Sequence, residues 1–396
     1  MPYFGVGILG ATGYIGTPYR KEIRESPSDA GIIALCARRL DLLKAAARQD
    51  DAPFITDDWR QVVEHPDVNL VLVATPDALH HEAVMACAAA GKHVVCEKPI
   101  GMNAAEAFDM WSAFRDRRLG HFVPFWTRYV PVFRHAREII RQGTLGEVRG
   151  VIYRWHNPRP AAMPFTWRDD AELSAAGSLA DVGSHAYDTI RWLLGQEAVR
   201  VLVHADVITP AKPDLGTVNL DEALRWSRDH TTAESSSRRR GTAFDFADVA
   251  FVLDNGAVGS LLLSHAPFLR KGFAPDVELH GTEASLSLDR LSGRLMLARA
   301  NNSPELLETV PDPGFGNRFA LNVFPALHAR IAGESSDHPG LDDGCAVQRF
   351  TDACTRSARQ GTWTSLADEM GRTTHFAHAK ITRSVSEGVS TNHRSN

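Results

Sequence analysis

The sequence predicts an α/β half built on a doubly wound parallel sheet, followed by an α+β half with a large open, mostly antiparallel sheet. Three observations carry this. Short apolar runs alternate with helical patterns over residues 3–125, the rhythm of repeated strand–helix–strand units. One run, Leu70-Val71-Leu72-Val73-Ala74, is apolar on both faces, which only a central strand covered by helices on both sides requires. Beyond Glu147 the period becomes two, with turn signals such as Asp254-Asn255-Gly256 between the runs.

In chain order, strands are expected over 3–9, 31–37, 69–74, 93–97 and 121–125, where apolar residues cluster between turn formers. Helices are expected over 14–24, 40–48, 79–90 and 104–117, with Gly91 and Gly120 among the stop signals. Pro18 falls in the first turn of its helix, where no intrahelical donor is lost. A linking helix over 132–142 leads to strands over 148–155, 199–207, 247–253, 259–264, 277–281 and 285–289. A helix over 178–194 interrupts them, and helical patterns return over 322–332 and 344–359. Residues 209–242 lack periodicity and read as an insertion or long loop. The resulting division is 1–125 for nucleotide binding, 126–375 for substrate binding and assembly, and 376–396 for a polar, Ser-repetitive tail expected to be disordered.

With 396 residues, 44% of them apolar, the chain can close a substantial core. A net charge of -5 argues against a nucleic-acid partner, and the basic run from Arg238 to Arg240 reads as a solvated loop. Cys36, Cys87, Cys96, Cys345 and Cys354 form no C-x-x-C pair and no disulfide framework, and the three that lie in apolar runs read as buried thiols of a reducing compartment. No leader pattern and no membrane-length apolar run is present, and a cytoplasmic location is expected.

The first strand runs into Gly10-Ala11-Thr12-Gly13-Tyr14-Ile15-Gly16, a tight turn that opens a helix, as backbone donation to a pyrophosphate requires. The spacing departs from G-x-G-x-x-G; either Ala11 replaces a glycine of that pattern or the motif is G-x-x-G-x-x-G. The end of the second strand, about 20 residues on, is where a Rossmann sheet places an acid against the adenosine ribose. Arg38 and Arg39 stand there instead, which suits a 2'-phosphate and favours NADP over NAD. Asp41 is the alternative ribose partner, and the two arginines could also be a solvated helix start.

Lys98 closes Cys96-Glu97-Lys98-Pro99 at the end of a buried parallel strand, beside Ala74-Thr75-Pro76 and His80. A second cluster is Gly177-Ser178-Leu179-Ala180-Asp181-Val182-Gly183-Ser184-His185-Ala186-Tyr187-Asp188, whose Asp181, His185, Asp188 and Trp192 share one helical face. On helical pattern alone, a capping pair Ser178-x-x-Asp181 and a water-facing polar stripe are the preferred readings. His80, His81, Asp181 and His185 are metal-ligand types, yet no paired spacing supports a metal site and none is expected.

Taken together these pieces resemble the Gfo/Idh/MocA family of oxidoreductases. The matches are the glycine loop, Ala74-Thr75-Pro76 with His80, Gly91-Lys92-His93 leading to Glu97-Lys98-Pro99, Arg128 before Pro131, Gly143-x-x-Gly146 and the Gly177–Asp188 cluster. Asn255-Gly256-Ala257-x-Gly259 and Gly281-Thr282-Glu283-x-Ser285-Leu286 also fit. The resemblance implies a Rossmann half, a sheet half, and NAD(P)-dependent oxidation or reduction at a carbinol carbon of a sugar, cyclitol or related compound. It places Lys98, Asp181 and His185 on the family's catalytic positions. Two departures are the altered glycine spacing and Ala176, where many relatives carry a further glycine.

The expected roles follow from chemistry. A neutral imidazole suits the proton released as a hydroxyl is oxidised, so His185 is the candidate base. Lys98 can hydrogen-bond the same oxygen and stabilise alkoxide charge. Asp181, one turn earlier, is expected to orient the imidazole or hold a neighbouring hydroxyl. Cofactor contacts are expected from Gly10, Ala11, Thr12, Gly13, Tyr14, Ile15, Arg38, Ala74, Thr75, Pro76, His80, Glu97 and Lys98. Substrate contacts are expected from Lys98, Arg128, Trp167, Arg168, Asp181 and His185, with Trp126, Tyr129 and Asp188 as weaker candidates. Two other functions of this family remain alternatives: a glycosidase that uses transient oxidation, and a non-catalytic dinucleotide-binding regulator. Relatives associate through the C-terminal sheet, so a homodimer or homotetramer is expected, with no nucleic-acid or membrane partner.

Overall fold

The computed structural model of the protein describes residues 3–231, 237–334 and 337–367. Strands β1 (Phe4–Leu9), β2 (Ala30–Cys36), β3 (Phe54–Thr56), β4 (Leu70–Val73), β5 (His93–Cys96) and β6 (His121–Phe122) form a six-stranded parallel sheet in the order β3-β2-β1-β4-β5-β6. Every residue of β1 and β4 is buried, as two-sided coverage demands. The order reverses between β1 and β4, which opens a crevice at their carboxyl ends. Helices α1 (Gly16–Arg24), α2 (Leu40–Asp50), α3 (Trp59–Glu64), α4 (His80–Ala89) and α5 (Ala104–Arg117) make the crossovers. The sequence reading passed over β3 and α3, which are too short to show a period.

Helix α6 (Pro131–Arg141) leads into the second half. Its strands are β7 (Val148–His156), β8 (Ala198–Asp206), β9 (Lys212–Pro213), β10 (Arg238–Arg239), β11 (Phe246–Leu253), β12 (Val258–Ser264), β13 (Val277–Gly281), β14 (Ala284–Leu288), β15 (Arg294–Arg299), β16 (Glu305–Thr309) and β17 (Thr364–Ser365). Nine of them form one sheet, β16-β15-β14-β13-β7-β12-β11-β8-β17; β9 and β10 pair separately. The β7–β12 pair is parallel and the others are antiparallel, so the sheet is mixed. Helices α7 (Ser178–Leu194) and α10 (Leu341–Gln360) cover its inner face, with Tyr187 stacked on Phe350 at 3.8 Å between ring centres.

Residues 209–242 are not a structureless loop: they hold β9, β10 and α8 (Leu220–Asp229), whose Leu220 and Ala223 pack on Met163. The helical pattern read over 322–332 is a π-helical turn, Phe319–Val323, continuing into α9 (Phe324–Ile331). This late segment returns to the first sheet, where Phe324 stacks on Phe4 at 5.6 Å and Phe319, Val323 and Leu327 join the core formed by Phe4, Val6 and Ile8. The expected tail, 376–396, lies outside the described residues. No helix among the described residues is long and apolar enough to cross a membrane.

The two halves are tied by a buried ionic cluster. Arg128, between β6 and α6, donates to both oxygens of Asp188 in α7, at 2.8 and 2.5 Å, and to Asp343 in α10 at 2.7 Å. Asp188 has no exposed side-chain surface. Removing one member of such a group strands a buried charge. Asp188→Ala is therefore expected to lose about 3–5 kcal/mol of unfolding free energy in urea titration, and a loss under about 1 kcal/mol would contradict the role.

Candidate active site

A cleft of about 990 Å³ lies along the carboxyl ends of β1, β2, β4 and β5 and is closed on the other side by α7 and the segments after β7 and around β9. That volume stands at the upper end of ordinary ligand sites, roughly 300–1,000 Å³. Its first wall is the glycine loop. Gly10 has φ +80°, and a Cβ there would meet the Ala74 carbonyl oxygen at 2.3 Å; one on Gly16 would meet the Gly10 oxygen at the same distance. Glycine at these two positions lets the loop lie against the end of β4 and start α1 beneath the cleft.

Gly10, Thr12, Gly13, Tyr14, Ile15, Arg38, Ala74, Thr75, Pro76, Glu97 and Lys98 all line the cleft, as do Trp126, Trp167, Arg168, Asp181 and His185. Five expected or weaker candidates do not. Ala11 faces the core, its N–H donating to Cys36 and its carbonyl accepting from Arg20. His80 is wholly buried, one ring nitrogen 2.9 Å from the Pro99 carbonyl and the other 3.0 Å from that of Thr75. It braces the two strand ends against each other and touches no cleft space. Arg128 is taken up by Asp188 and Asp343, which removes both it and Asp188 from the substrate wall. Tyr129 bonds His338 at 2.8 Å, away from the cleft.

The chemistry concentrates where β5 meets α7. Lys98 Nζ donates to Asp181 Oδ1 at 2.7 Å and to the Asp181 carbonyl at 3.0 Å. The other carboxylate oxygen accepts from Arg159 Nη2 at 3.1 Å, with His265 Nε2 also 3.1 Å away. Burial pushes the Asp181 carboxyl upward, but Lys98, His265 and Arg159 together outweigh it and hold the group well below its usual range. Among the described residues Asp181 makes no hydrogen bond to His185. It anchors Lys98 rather than orienting the imidazole.

His185 is set by packing instead. Its ring stacks on Trp155 at 5.6 Å and meets Phe125 edge-on at 6.0 Å, and Nδ1 is buried without a partner. Burial, helped by the Lys98 charge, lowers its pKa well below 6.5, so the ring is neutral at neutral pH. His265 is held down to about 4, chiefly by burial and then by Arg159. Glu97 accepts from Tyr19 Oη at 2.6 Å, and Trp126 Nε1 donates to the same hydroxyl at 2.9 Å. Asp77, at the cleft edge, accepts from the Ala175 N–H at 3.0 Å, and its carboxyl is raised to about 7, burial being the leading cause.

Sequence reasoning missed Asn157 and Arg159, which line the cleft just after β7, and His265, which follows β12 and approaches Asp181. The signal available was a polar residue immediately after each apolar strand, Asn157 after β7 and His265 after β12. It also missed Tyr19, Arg318 and the cleft wall formed by Asp214 and residues 216–220. Arg239, read as part of a solvated loop, lines the cleft, pairs with Asp170 at 2.6 Å and lies over Phe165 at 4.0 Å.

The residues fit a nicotinamide dinucleotide: a glycine-lined cradle opens α1, the cleft is long enough to involve four strand ends, and Thr75 Oγ1 is buried without a partner in its wall. Residues 4–123 match the family model described as an oxidoreductase family with an NAD-binding Rossmann fold, and residues 133–287 match the GFO/IDH/MocA C-terminal domain. The chain is similar to levoglucosan dehydrogenase of Pseudarthrobacter phenanthrenivorans, 28% identical over 356 residues covering 82% of this chain and 87% of that one. Trans-1,2-dihydrobenzene-1,2-diol dehydrogenase of Bos taurus is 32% identical over 190 residues, 48% of this chain and 55% of the relative. Among solved structures, an oxidoreductase domain protein from Kribbella flavida superposes with a TM-score of 0.78 at 25% identity, covering 92% of this chain and all 100% of that one. A levoglucosan dehydrogenase in complex with NADH and L-sorbose gives 0.77 at 25% identity, with 92% and 98% covered.

The burial of His185 has a direct readout. In a carbon-edited NMR titration its ring is expected to remain neutral at pH 6.5 and above, and a midpoint at or above 6.5 would show that burial does not govern it.

Proposed function

The chain belongs to the Gfo/Idh/MocA oxidoreductase family, and from that premise we propose that it transfers hydride between a nicotinamide dinucleotide and a carbinol or carbonyl carbon of a sugar, cyclitol or related polyhydroxy compound. The observation that carries this reading is the convergence of Lys98 and His185 on one end of the cleft, an amine from the nucleotide half and an imidazole from the sheet half. Bound in the cleft, the dinucleotide supplies a hydride acceptor for oxidation and a donor for reduction.

The chain's own groups handle the proton and the charge. In oxidation the substrate hydroxyl releases its proton to the neutral His185 ring as the carbon loses hydride, and Lys98 donates to the oxygen while alkoxide charge develops. Asp181 fixes the Lys98 ammonium from one side, leaving its remaining donor capacity for the substrate. Phe125 and Trp155 confine the imidazole and keep water from it. In reduction the proton returns by the same route. Trp167 and Arg168, stacked on each other at 4.3 Å, supply a flat wall and donors for a polyhydroxy ligand.

We assign NADP as the preferred cofactor, with NAD as the second. Arg38 supports this: it is exposed at the cleft beyond β2 and makes no ion pair among the described residues. The half-exposed Ile152, Val252 and Leu262 on the uncovered side of the nine-stranded sheet support a homodimer or homotetramer through that face. The five buried thiols agree with a cytoplasmic location.

Lys98→Ala and His185→Ala are each expected to slow cofactor reduction by a screened polyol or sugar roughly 10²- to 10⁴-fold with an unchanged circular-dichroism spectrum; near-normal rates in both would end the assignment. In fluorescence titrations of the unaltered protein, NADPH is expected to bind about three- to tenfold more tightly than NADH. Equal binding, or tighter binding of NADH, would remove the NADP preference.

A further inference from the structure

We propose that Glu222 sets the balance between NADP and NAD, acting from the sheet half on the adenosine end of the cleft. The inference rests on the dinucleotide reading above and concerns a residue that reading does not use. In a doubly wound sheet the carboxylate facing the adenosine ribose stands at the end of the second strand. Here the chain has Arg38 and Arg39 at that point, and the fold delivers a carboxylate to them from elsewhere. Arg39 Nη1 donates to Glu222 Oε1 at 2.6 Å, across 183 positions of sequence.

Glu222 is held in place. Its second oxygen, Oε2, accepts from the Asn219 N–H at 2.9 Å, while Asn219 Oδ1 accepts from the Glu222 N–H at 2.9 Å, a reciprocal cap at the start of α8. The helix is anchored by Leu220 and Ala223 on Met163. Lys212, earlier in the same segment, pairs with Asp169 at 2.6 Å. Both carboxylate oxygens are therefore engaged, and the charge sits at one place beside the cleft.

The charges around the end of β2 then divide. Arg38 is left to attract a 2'-phosphate, whereas Arg39 is neutralised by Glu222, whose own charge repels a phosphate dianion. A ribose hydroxyl, being neutral, feels little of either. Glu222 thus acts against NADP and leaves NAD nearly untouched, which makes it a determinant of cofactor choice supplied by the opposite half of the molecule.

The test is direct titration of the full chain with NADPH and with NADH, followed by nicotinamide fluorescence. Glu222→Gln removes the charge and keeps the cap, since glutamine serves equally at that position of a capping box. It is expected to tighten NADPH about 5- to 20-fold relative to NADH, an effect that shrinks in about 0.5 M NaCl. Arg39→Gln leaves the Glu222 charge unopposed and is expected to weaken NADPH relative to NADH by a similar factor. A ratio unmoved within about twofold in both variants, or an equal shift of both cofactors in Glu222→Gln, would overturn the proposal. Should the unaltered protein bind NADH more tightly, the NADP preference fails, yet this inference stands if the two variants move the ratio in opposite directions.

Discussion

The ion pair between Lys98 and Asp181 is the contact on which the rest of the arrangement depends. Lys98 ends a strand of the parallel sheet, and Asp181 lies in the first turn of the helix that covers the mixed sheet, so their 2.7 Å contact fixes how the two halves face each other across the cleft. A carboxylate this enclosed needs compensation. It receives it from three directions, Lys98, Arg159 and His265, which leaves Asp181 fully committed as an anchor. The ammonium is then positioned without a second carboxylate to compete for it.

The imidazole one turn along the same helix is governed by the opposite principle. His185 has aromatic neighbours, Phe125 and Trp155, and an unpartnered Nδ1, and burial with the Lys98 charge outweighs the pull of Asp181 toward the charged form. Two titratable groups four positions apart on one helix are thus both held deprotonated at neutral pH, one as a charged carboxylate and the other as a neutral ring. The charged group holds the Lys98 ammonium, and the neutral ring is left able to accept a proton. The buried cluster of Arg128, Asp188 and Asp343 sits behind it and fixes the helix that presents both groups.

Much of this was legible in the sequence because it is local. The both-faced apolar run at β4, the glycine turn, the strand end at Lys98 and the spacing from Asp181 to His185 each lie within a single element and follow from its period. What was not legible depends on partners far along the chain. Arg128 reads like a ligand contact, since its two carboxylates stand 60 and 215 positions away. Arg159 and His265 become site residues only because β7 and β12 run side by side, and the parallel sense of that pair is not encoded in a two-residue period. Strand β16 is exposed along its whole length and has no alternation to detect. Helix α8 was hidden in a segment whose apolar face is only a few residues wide.

The return of residues 319–331 to the first sheet has a consequence for how the protein is made. Phe319, Val323, Phe324 and Leu327 cover the face on which Phe4, Val6 and Ile8 lie, and Arg318 clasps Glu22 of α1 beside them. During synthesis the amino-terminal sheet emerges long before this cover, so part of its apolar face stays open while about half of the chain is still being translated. The nucleotide half completes its core late, from both ends of the polypeptide, and cutting the chain after residue 125 would leave that face covered by α1 and α2 alone.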